Sequence, residues 1–493
     1  MDSENTRLTS AQGDQYTGPS DGEASATNQP AFSHEYDGSS RTMDDGSRWW
    51  SVPKRYLVAL MAFLGFANIY ALRVNLSVAI VSMTSNKTRI INGTRVGQVL
   101  AAFFYGYIIS QLPGGFLSNR FGGKWFYGGG ILLTAVLTLL TPAFTNWSIY
   151  LLIAARVLEG LFEGVTYPAI HAIWAKWAPP QEKTKLATFA FSGAYFGTVI
   201  SMTVSGALAE SSSGWPSIFY VFGCIALLWF VLWSIFVTEN PAGHPGISNA
   251  ELEYIQQSIG YTEEQTKRIH PPWLRMLSSV PVWAIVVAHF AENWGFYTWL
   301  TELPTFMKHV LKVDLTRGGF YAALPYLLMC IIVQTGGILA DTLRCRFGIA
   351  TGTVRKLFTC GAFAIQAIFM VAAGYVMTKA AAITCLTIAV GIGGFAWSGF
   401  SVNHLDVAPQ FASILMGLSN TFATLPGIIS PALTGAVVTD QDSAGQWQII
   451  FYLAAGIYAV GAIVFGIFAS GDRQQWADIP MGYQPYMGDP ERE

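Results

Sequence analysis

The chain has 493 residues, 52% of them hydrophobic and only 12% charged, with a formal net charge of −2. Soluble domains carry about 25% charged residues, so this composition excludes an ordinary soluble protein and implies a polytopic membrane protein surrounded by lipid. The balance of charge also leaves no basic face for nucleic acid.

Residues 1–47 are rich in Ser, Gly, Asp, Thr and Asn and contain no apolar run, which predicts a disordered tail over 1–50 and no cleaved signal peptide. Arg48, Lys54 and Arg55 flank the first apolar span, so that tail is expected in the cytosol. Apolar spans of about 20 residues fall at 56–83, 96–118, 126–144, 149–173, 187–209 and 218–237. Six more fall at 281–303, 320–340, 357–376, 381–400, 411–434 and 447–469. The predicted fold is an all-α membrane protein of twelve transmembrane helices with cytosolic termini. It comprises a first six-helix bundle (51–240), a cytosolic linker (241–280), a second six-helix bundle (281–470) and a cytosolic tail (471–493). Two such bundles are the layout of a secondary transporter.

Basic residues collect in the even-numbered gaps, among them Arg120, Lys124, Lys176, Lys183, Lys185, Arg344, Arg346, Arg355 and Lys356, which places those gaps in the cytosol. The first and seventh gaps also hold basic residues, so the bias is not clean. Independently, Asn86-Lys-Thr88 and Asn92-Gly-Thr94 are glycosylation sequons in the first gap, which would then face outward or into a lumen.

The fourth span is the one with chemistry in it: Arg156, Glu159, Glu163 and His171 lie inside an apolar run. At roughly 100° per residue the first three share one face, and His171 joins it if Pro168 bends the helix little. Each charge near a bilayer centre costs about 2.5–3.5 kcal/mol, so the set must pair and face a polar cavity. Gly160 and Gly164 beside it allow a neighbouring helix to approach closely. Acids that burial makes titratable, next to an imidazole, suit proton coupling, although sodium is not separated from protons by sequence. The five cysteines (224, 330, 345, 360 and 385) are scattered and form neither a metal nor a disulfide pattern. There is no nucleotide loop, metal cluster or nucleophile–base pair, so neither an enzyme, an ATP-driven pump nor a cofactor is expected.

Gly114-Gly115-Phe-Leu-Ser-Asn119-Arg120 follows the second span, and Gly336-Gly337-Ile-Leu-Ala-Asp341 follows the eighth, an internal repeat at matching places. These resemble the two copies of the loop motif of the major facilitator superfamily, with Asn119 where the superfamily usually has Asp. Four stretches narrow the resemblance: Tyr70 to Ser77, Arg156 to Pro180, His244-Pro-Gly-Ile-Ser248, and Asn403-His404-Leu-Asp406-Val-Ala-Pro409 continuing to Gly417. Together they resemble the sialin, vesicular glutamate and sodium–phosphate cotransporter family, looking closest to its sialin branch.

The resemblance implies that Arg73, whose planar fork suits a carboxylate or phosphate, contacts the anionic substrate; a structural ion pair is the alternative. It implies proton coupling at Glu163 and His171, with Arg156 as the switching partner freed when Glu163 is protonated. Glu159 either transfers protons or braces Arg156 at i+3. Glu292 stands where the glutamate-carrying branch has Arg, and Leu100 where it has His, which disfavours a dicarboxylate substrate. Glu292 could hold a cation or proton, bond a substrate hydroxyl, or pair with Arg73. Tyr107, Tyr195, Tyr297, Trp294 and Phe296 are candidates for a sugar-acid pocket or for ordinary packing. Asn119, Arg120 and Asp341 are candidate gating residues, and Asn403, His404 and Asp406, in the tenth gap, are expected to cap and brace helices. The expected function is proton-coupled symport of a monovalent organic anion, such as sialic acid or another acidic sugar, by a monomer. The alternative is a sodium-dependent phosphate or organic-anion cotransporter, and the expected address is the lysosomal or plasma membrane.

Overall fold

The computed structural model describes residues 52–83, 93–259, 270–313, 315–376 and 378–477. The expected tail over 1–50 and the sequons at Asn86 and Asn92 lie outside these residues. The described residues from Val52 onward form one compact unit.

The first half comprises α1 (Lys54–Met83), α2 (Gly93–Phe121), α3 (Lys124–Trp147), α4 (Ile149–Glu163), α5 (Thr166–Trp177), α6 (Lys183–Glu210) and α7 (Pro216–Phe236). Short helices α8 (Asn249–Ile259) and α9 (Trp273–Leu277) occupy the linker. The second half follows with α10 (Val280–His309), α11 (Leu315–Cys345), α12 (Thr351–Tyr375), α13 (Lys379–Gly391), α14 (Val402–Val407), α15 (Ala412–Val437) and α16 (Ala444–Phe468). Among the described residues, ten helical stretches are long and apolar enough to cross a membrane. The chain is thus an all-helical, multi-pass membrane protein.

Two of the twelve expected spans differ from those ten. The fourth is interrupted at Gly164–Val165, between α4 and α5. Pro168, the third residue of α5, has no N–H to return to the preceding turn. The Thr166 hydroxyl instead donates to the Glu163 carbonyl at 2.6 Å. The seventh, α10, is 30 residues long, but His289, Glu292, Asn293 and Glu302 dilute its apolar character.

The tenth span corrects an expectation. Beyond α13 the chain continues through a turn at Gly394–Ala396 and a π-helical turn at Trp397–Ser401 into α14. Asn403, His404 and Asp406 are therefore buried on a membrane-spanning helix, not in a gap. The helix runs on to Val407 and ends just before Pro409, which cannot be entered from a helical residue without strain.

Within the first half α1 packs along α6, α2 along α4, and α3 along α4 and α7; within the second, α10 packs along α15 and α16, and α12 along α16. The halves meet where α2 lies on α15 and α6 on α11. The expected close approach at Gly160 is present: a Cβ there would collide with the Phe103 carbonyl and the Tyr107 amide of α2.

The linker is fastened to the helix ends beside it. Glu251 of α8 accepts from the Lys54 and Arg55 amides at 2.9 and 3.1 Å, placing a negative charge at the N-terminus of α1. Glu239 accepts from the Gly123 and Lys124 amides at 3.1 and 2.8 Å and pairs with Lys176 at 2.7 Å. The turn that presents those amides needs Gly122, whose φ is +98°. We call this end of the molecule the linker face.

Candidate functional site

Four charges are buried within the first half. Arg73, mid-way along α1, donates from Nε to Glu163 Oε1 at 2.8 Å, and its Nη2 reaches the same oxygen. Arg156 Nη1 pairs with Glu159 Oε2, and the hydroxyls of Thr138 and Thr141 donate to Glu159 Oε1 at 3.4 and 3.5 Å. The direct partner of Glu163 is thus Arg73, and Arg156 braces Glu159 one turn along its own helix. This corrects the expected Glu163–Arg156 switch: both lie on one face of α4, but α1 brings a second guanidinium to Glu163. The Arg73 guanidinium sits 4.6, 4.8 and 4.7 Å from the ring centres of Tyr70, Phe103 and Tyr107. Its Nη1, Glu163 Oε2 and Arg156 Nε are buried without a hydrogen-bond partner among the described residues.

Aromatic side chains join this cluster to the second half. Tyr107 OH accepts from Asn420 Nδ2 at 3.2 Å. Phe296 packs edge-on against Tyr70 and Tyr195 at 6.4 and 6.0 Å, and Tyr297 against Phe104 at 5.3 Å. Tyr107, Tyr195 and Tyr297 are all buried here, and Trp294 is buried on the same helix as Tyr297. Glu292 does not pair with Arg73; its carboxylate lies beside Gln366 at Gly393, and Gln366 donates to Tyr458 OH at 3.1 Å. A donor fork with one unpartnered nitrogen, walled by ring faces and phenols, is suited to a carboxylate attached to a polar body.

At the linker face the two halves are latched together. Asp406 of α14 receives Arg355 Nε at 2.7 Å from its own half and Lys183 Nζ at 2.6 Å from the first half. Arg355, fully buried, also donates to Thr184 Oγ1 across the interface at 3.1 Å and to the Ser398 carbonyl at 2.6 Å. Asp341 accepts from the Lys185 amide at 2.7 Å and from Arg344 Nη1 at 3.1 Å; Arg344 donates in turn to the Pro180 carbonyl at 3.2 Å. Asn119 donates to the Gln410 carbonyl at 2.5 Å, a neutral crossing in place of an ion pair. Arg120 is exposed and lies over Phe121 at 5.7 Å, apart from the latch. The expected tail packs back onto the second half, with the Gln474 amide donating to the Val407 carbonyl at 2.9 Å, and Asn403 Nδ2 donates to the carbonyl of Ser470, just before the tail, at 2.8 Å.

The sequence profile described as the Major Facilitator Superfamily matches residues 57–431. Sialin of Homo sapiens is 43% identical over 452 residues, covering 86% of this chain and 90% of its own. Vesicular glutamate transporter 2.1 of Danio rerio is also 43% identical, over 449 residues, covering 87% and 76%. The chain belongs to the major facilitator superfamily, in the family of sialin and the vesicular glutamate transporters. Among solved structures, the proton:xylose symporter XylE has a TM-score of 0.68 at 17% identity, covering 85% of this chain and 97% of its own. The E. coli fucose:proton symporter FucP has a TM-score of 0.60 at 14% identity, covering 84% and 99%. At such identities the two confirm the fold alone. The protein is therefore a membrane transporter and not an enzyme.

In this transporter His171 meets the other half on the latch side and makes no hydrogen bond to the Glu163 cluster among the described residues, since eight residues of helix separate it from Glu163 by about 12 Å. Its Nδ1 contacts the Tyr167 carbonyl at 3.0 Å, and its Nε2 contacts the Ser401 carbonyl of the other half at 3.4 Å. The His404 ring lies 5.5 Å away and is held by the Ser401 carbonyl at 2.7 Å and Ser419 Oγ at 2.8 Å. His289 Nδ1 meets the same Ser419 hydroxyl at 3.1 Å. Sequence reasoning missed Lys183 and Arg355 as latch residues, counting them only as topogenic charges, and passed over His289 and Ser419. The signal in the sequence was a histidine and a serine, His289 and Ser419, inside two predicted spans, and only the structure shows that these spans pack together.

Proposed function

We propose that this transporter carries a monovalent organic anion, such as sialic acid or another acidic sugar, together with a proton by alternating access. The observation that carries this reading is the Arg73–Glu163 pair, whose guanidinium keeps one nitrogen unpartnered at the ring-lined meeting of the two halves. While Glu163 is ionised, it neutralises Arg73. A proton on Glu163 cancels the carboxylate charge, weakens its hold on the guanidinium, and frees Arg73 to take the substrate carboxylate in its place. Proton and anion then enter together, and the buried charge stays balanced. Glu292 gives the second half a buried acid and not a base near this lining, which disfavours a second carboxylate on the substrate.

The linker face is the cytosolic face in this reading, so the latched conformation would load from the opposite side. An acidic lumen on that side would supply the proton, which favours a lysosomal or similar organelle membrane. Separating Lys183 and Thr184 from Asp406 and Arg355 opens the path to the cytosol.

The test is uptake of labelled sialic acid, glutamate and phosphate into liposomes holding the purified protein, under an inward proton gradient with and without sodium. Proton-driven, sodium-independent sialic acid uptake is expected. Sodium-dependent phosphate uptake would replace this reading with the phosphate-cotransporter alternative, and preferred glutamate uptake would move the protein to the other branch of its family.

A further inference from the structure

Six carboxylates are buried among the described residues: Glu159, Glu163, Glu251, Glu292, Asp341 and Asp406. Five have a basic partner, namely Arg156, Arg73, Arg55, Arg344, and Lys183 with Arg355. Glu292 has none. We infer that Glu292 is a proton-binding site in the second half, occupied as a neutral carboxylic acid in this conformation.

The surroundings of Glu292 leave an ionised carboxylate no compensation. It is 2% exposed, and its Oε2 has no hydrogen-bond partner among the described residues. The polar side chain beside it is Gln366 of α12, whose Nε2 donates to Tyr458 OH at 3.1 Å and whose own Oε1 is also buried and unpartnered. The titratable groups that face it are phenols: Tyr458 from α16 and Tyr195 from α6, with Tyr326 of α11 facing Tyr458. The helix α15, packed along α10, contains no charged residue. An unpaired negative charge at such a site costs far more than placing a proton on the carboxyl. Donor count leads to the same state: the cluster has more buried acceptor oxygens than hydrogens to give them, and one proton on Oε2 adds the missing donor.

The site is shaped for this pair. Gly393 lies against both side chains, and a Cβ there would press on Glu292 Oε1 and fall 2.6 Å from Gln366 Nε2. The glycine lets carboxyl and amide pack against the backbone of the turn that leads to the latch. Proton binding here converts the carboxylate to a neutral acid with its O–H on Oε2, and release restores the anion; no other bond changes. The chain thereby has a proton site in each half, Glu163 facing a guanidinium and Glu292 facing an amide and phenols.

The experiment is infrared difference spectroscopy of the purified, reconstituted protein during a pH titration, with no substrate present. The expected result is a neutral carboxylic acid C=O band at neutral pH that Glu292→Gln removes and Glu163→Gln leaves in place. Replacing potassium by sodium should not change it. A band unaffected by Glu292→Gln, no such band at neutral pH, or its loss on adding sodium would each overturn the proposal, the last by showing a sodium site. Should Glu292→Gln not fold, Gln366→Leu must shift the same band, and an unmoved band is again decisive against it. Because the spectrum needs no transport, a wrong substrate assignment leaves this result untouched.

Discussion

Arg73 of α1 and Glu163 at the end of α4 are each other's principal partners, joined at 2.8 Å although 90 positions separate them in the chain. Both are nearly dry, with side chains 6% and 1% exposed. Removing one member of a buried pair leaves the other charge uncompensated and costs about 3–5 kcal/mol. Arg73→Ala is therefore expected to destabilise the folded transporter strongly, and Arg73→Ala with Glu163→Gln to recover much of the loss. Thermal unfolding of the two single variants and the double variant measures the coupling. Additive effects would mean that the pair is not a unit.

Asp406 holds the latch because it accepts from both halves at once. Asp406→Asn leaves Lys183 and Arg355 without a counter-charge and should populate a conformation open at the linker face. Spin labels at exposed Arg120 and Phe347, one in each half, report it as a longer distance in double electron–electron resonance. Lys183→Ala should move the distribution the same way, and substituting Lys356, half-buried and outside the latch, should not.

Gly160 and Gly129 provide a steric contrast between neighbouring helices. A methyl group at 160 meets the backbone of α2, which cannot rotate away, whereas a methyl at 129 meets nothing within 4 Å. Gly160→Ala should cost about 1–3 kcal/mol through overpacking, and Gly129→Ala should stay within about 0.5 kcal/mol of wild type. Melting midpoints of the two variants in one detergent check this.

Glu182, in the turn between α5 and α6, ties the linker face together in a pH-dependent way. Burial raises its carboxyl, but hydrogen bonds from Arg55, Tyr56 and Lys185 and the charge of Arg55 more than offset this and hold it below its ordinary value. A folded-state value below the unfolded one, about 4.3, stabilises the protein above that pH and is lost as pH falls through the folded value. Glu182→Gln should therefore lower the melting midpoint at pH 7, and the gap to wild type should close in strong acid. Through the mildly acidic range the clamp stays intact.

Much of the architecture is legible in the apolar spans, because lipid obliges each to be a self-satisfied helix. Two spans depart for local reasons, the break at Gly164–Val165 just before Pro168 and the π-helical turn carrying the tenth helix on to Val407. The shared face of Arg156, Glu159 and Glu163 also follows from helical period. Which arginine Glu163 takes does not, since that depends on how α1 is set against α4. The latch was hidden for the same reason: Lys183, Arg355 and Asp406 are distant in sequence, and each alone reads as an end-of-span charge. Glu292 was visible as an intramembrane acid, but its lack of a base emerges only when every neighbour is placed.

The measurement that bears most directly on the coupling claim compares wild type with Glu163→Gln in liposomes loaded with unlabelled sialic acid. Exchange of labelled for unlabelled solute is read separately from net uptake driven by an inward proton gradient. With Arg73 permanently released, the variant should keep exchange and lose proton-driven accumulation. Proton-driven accumulation as strong in Glu163→Gln as in wild type would contradict the account and remove Glu163 from the coupling step.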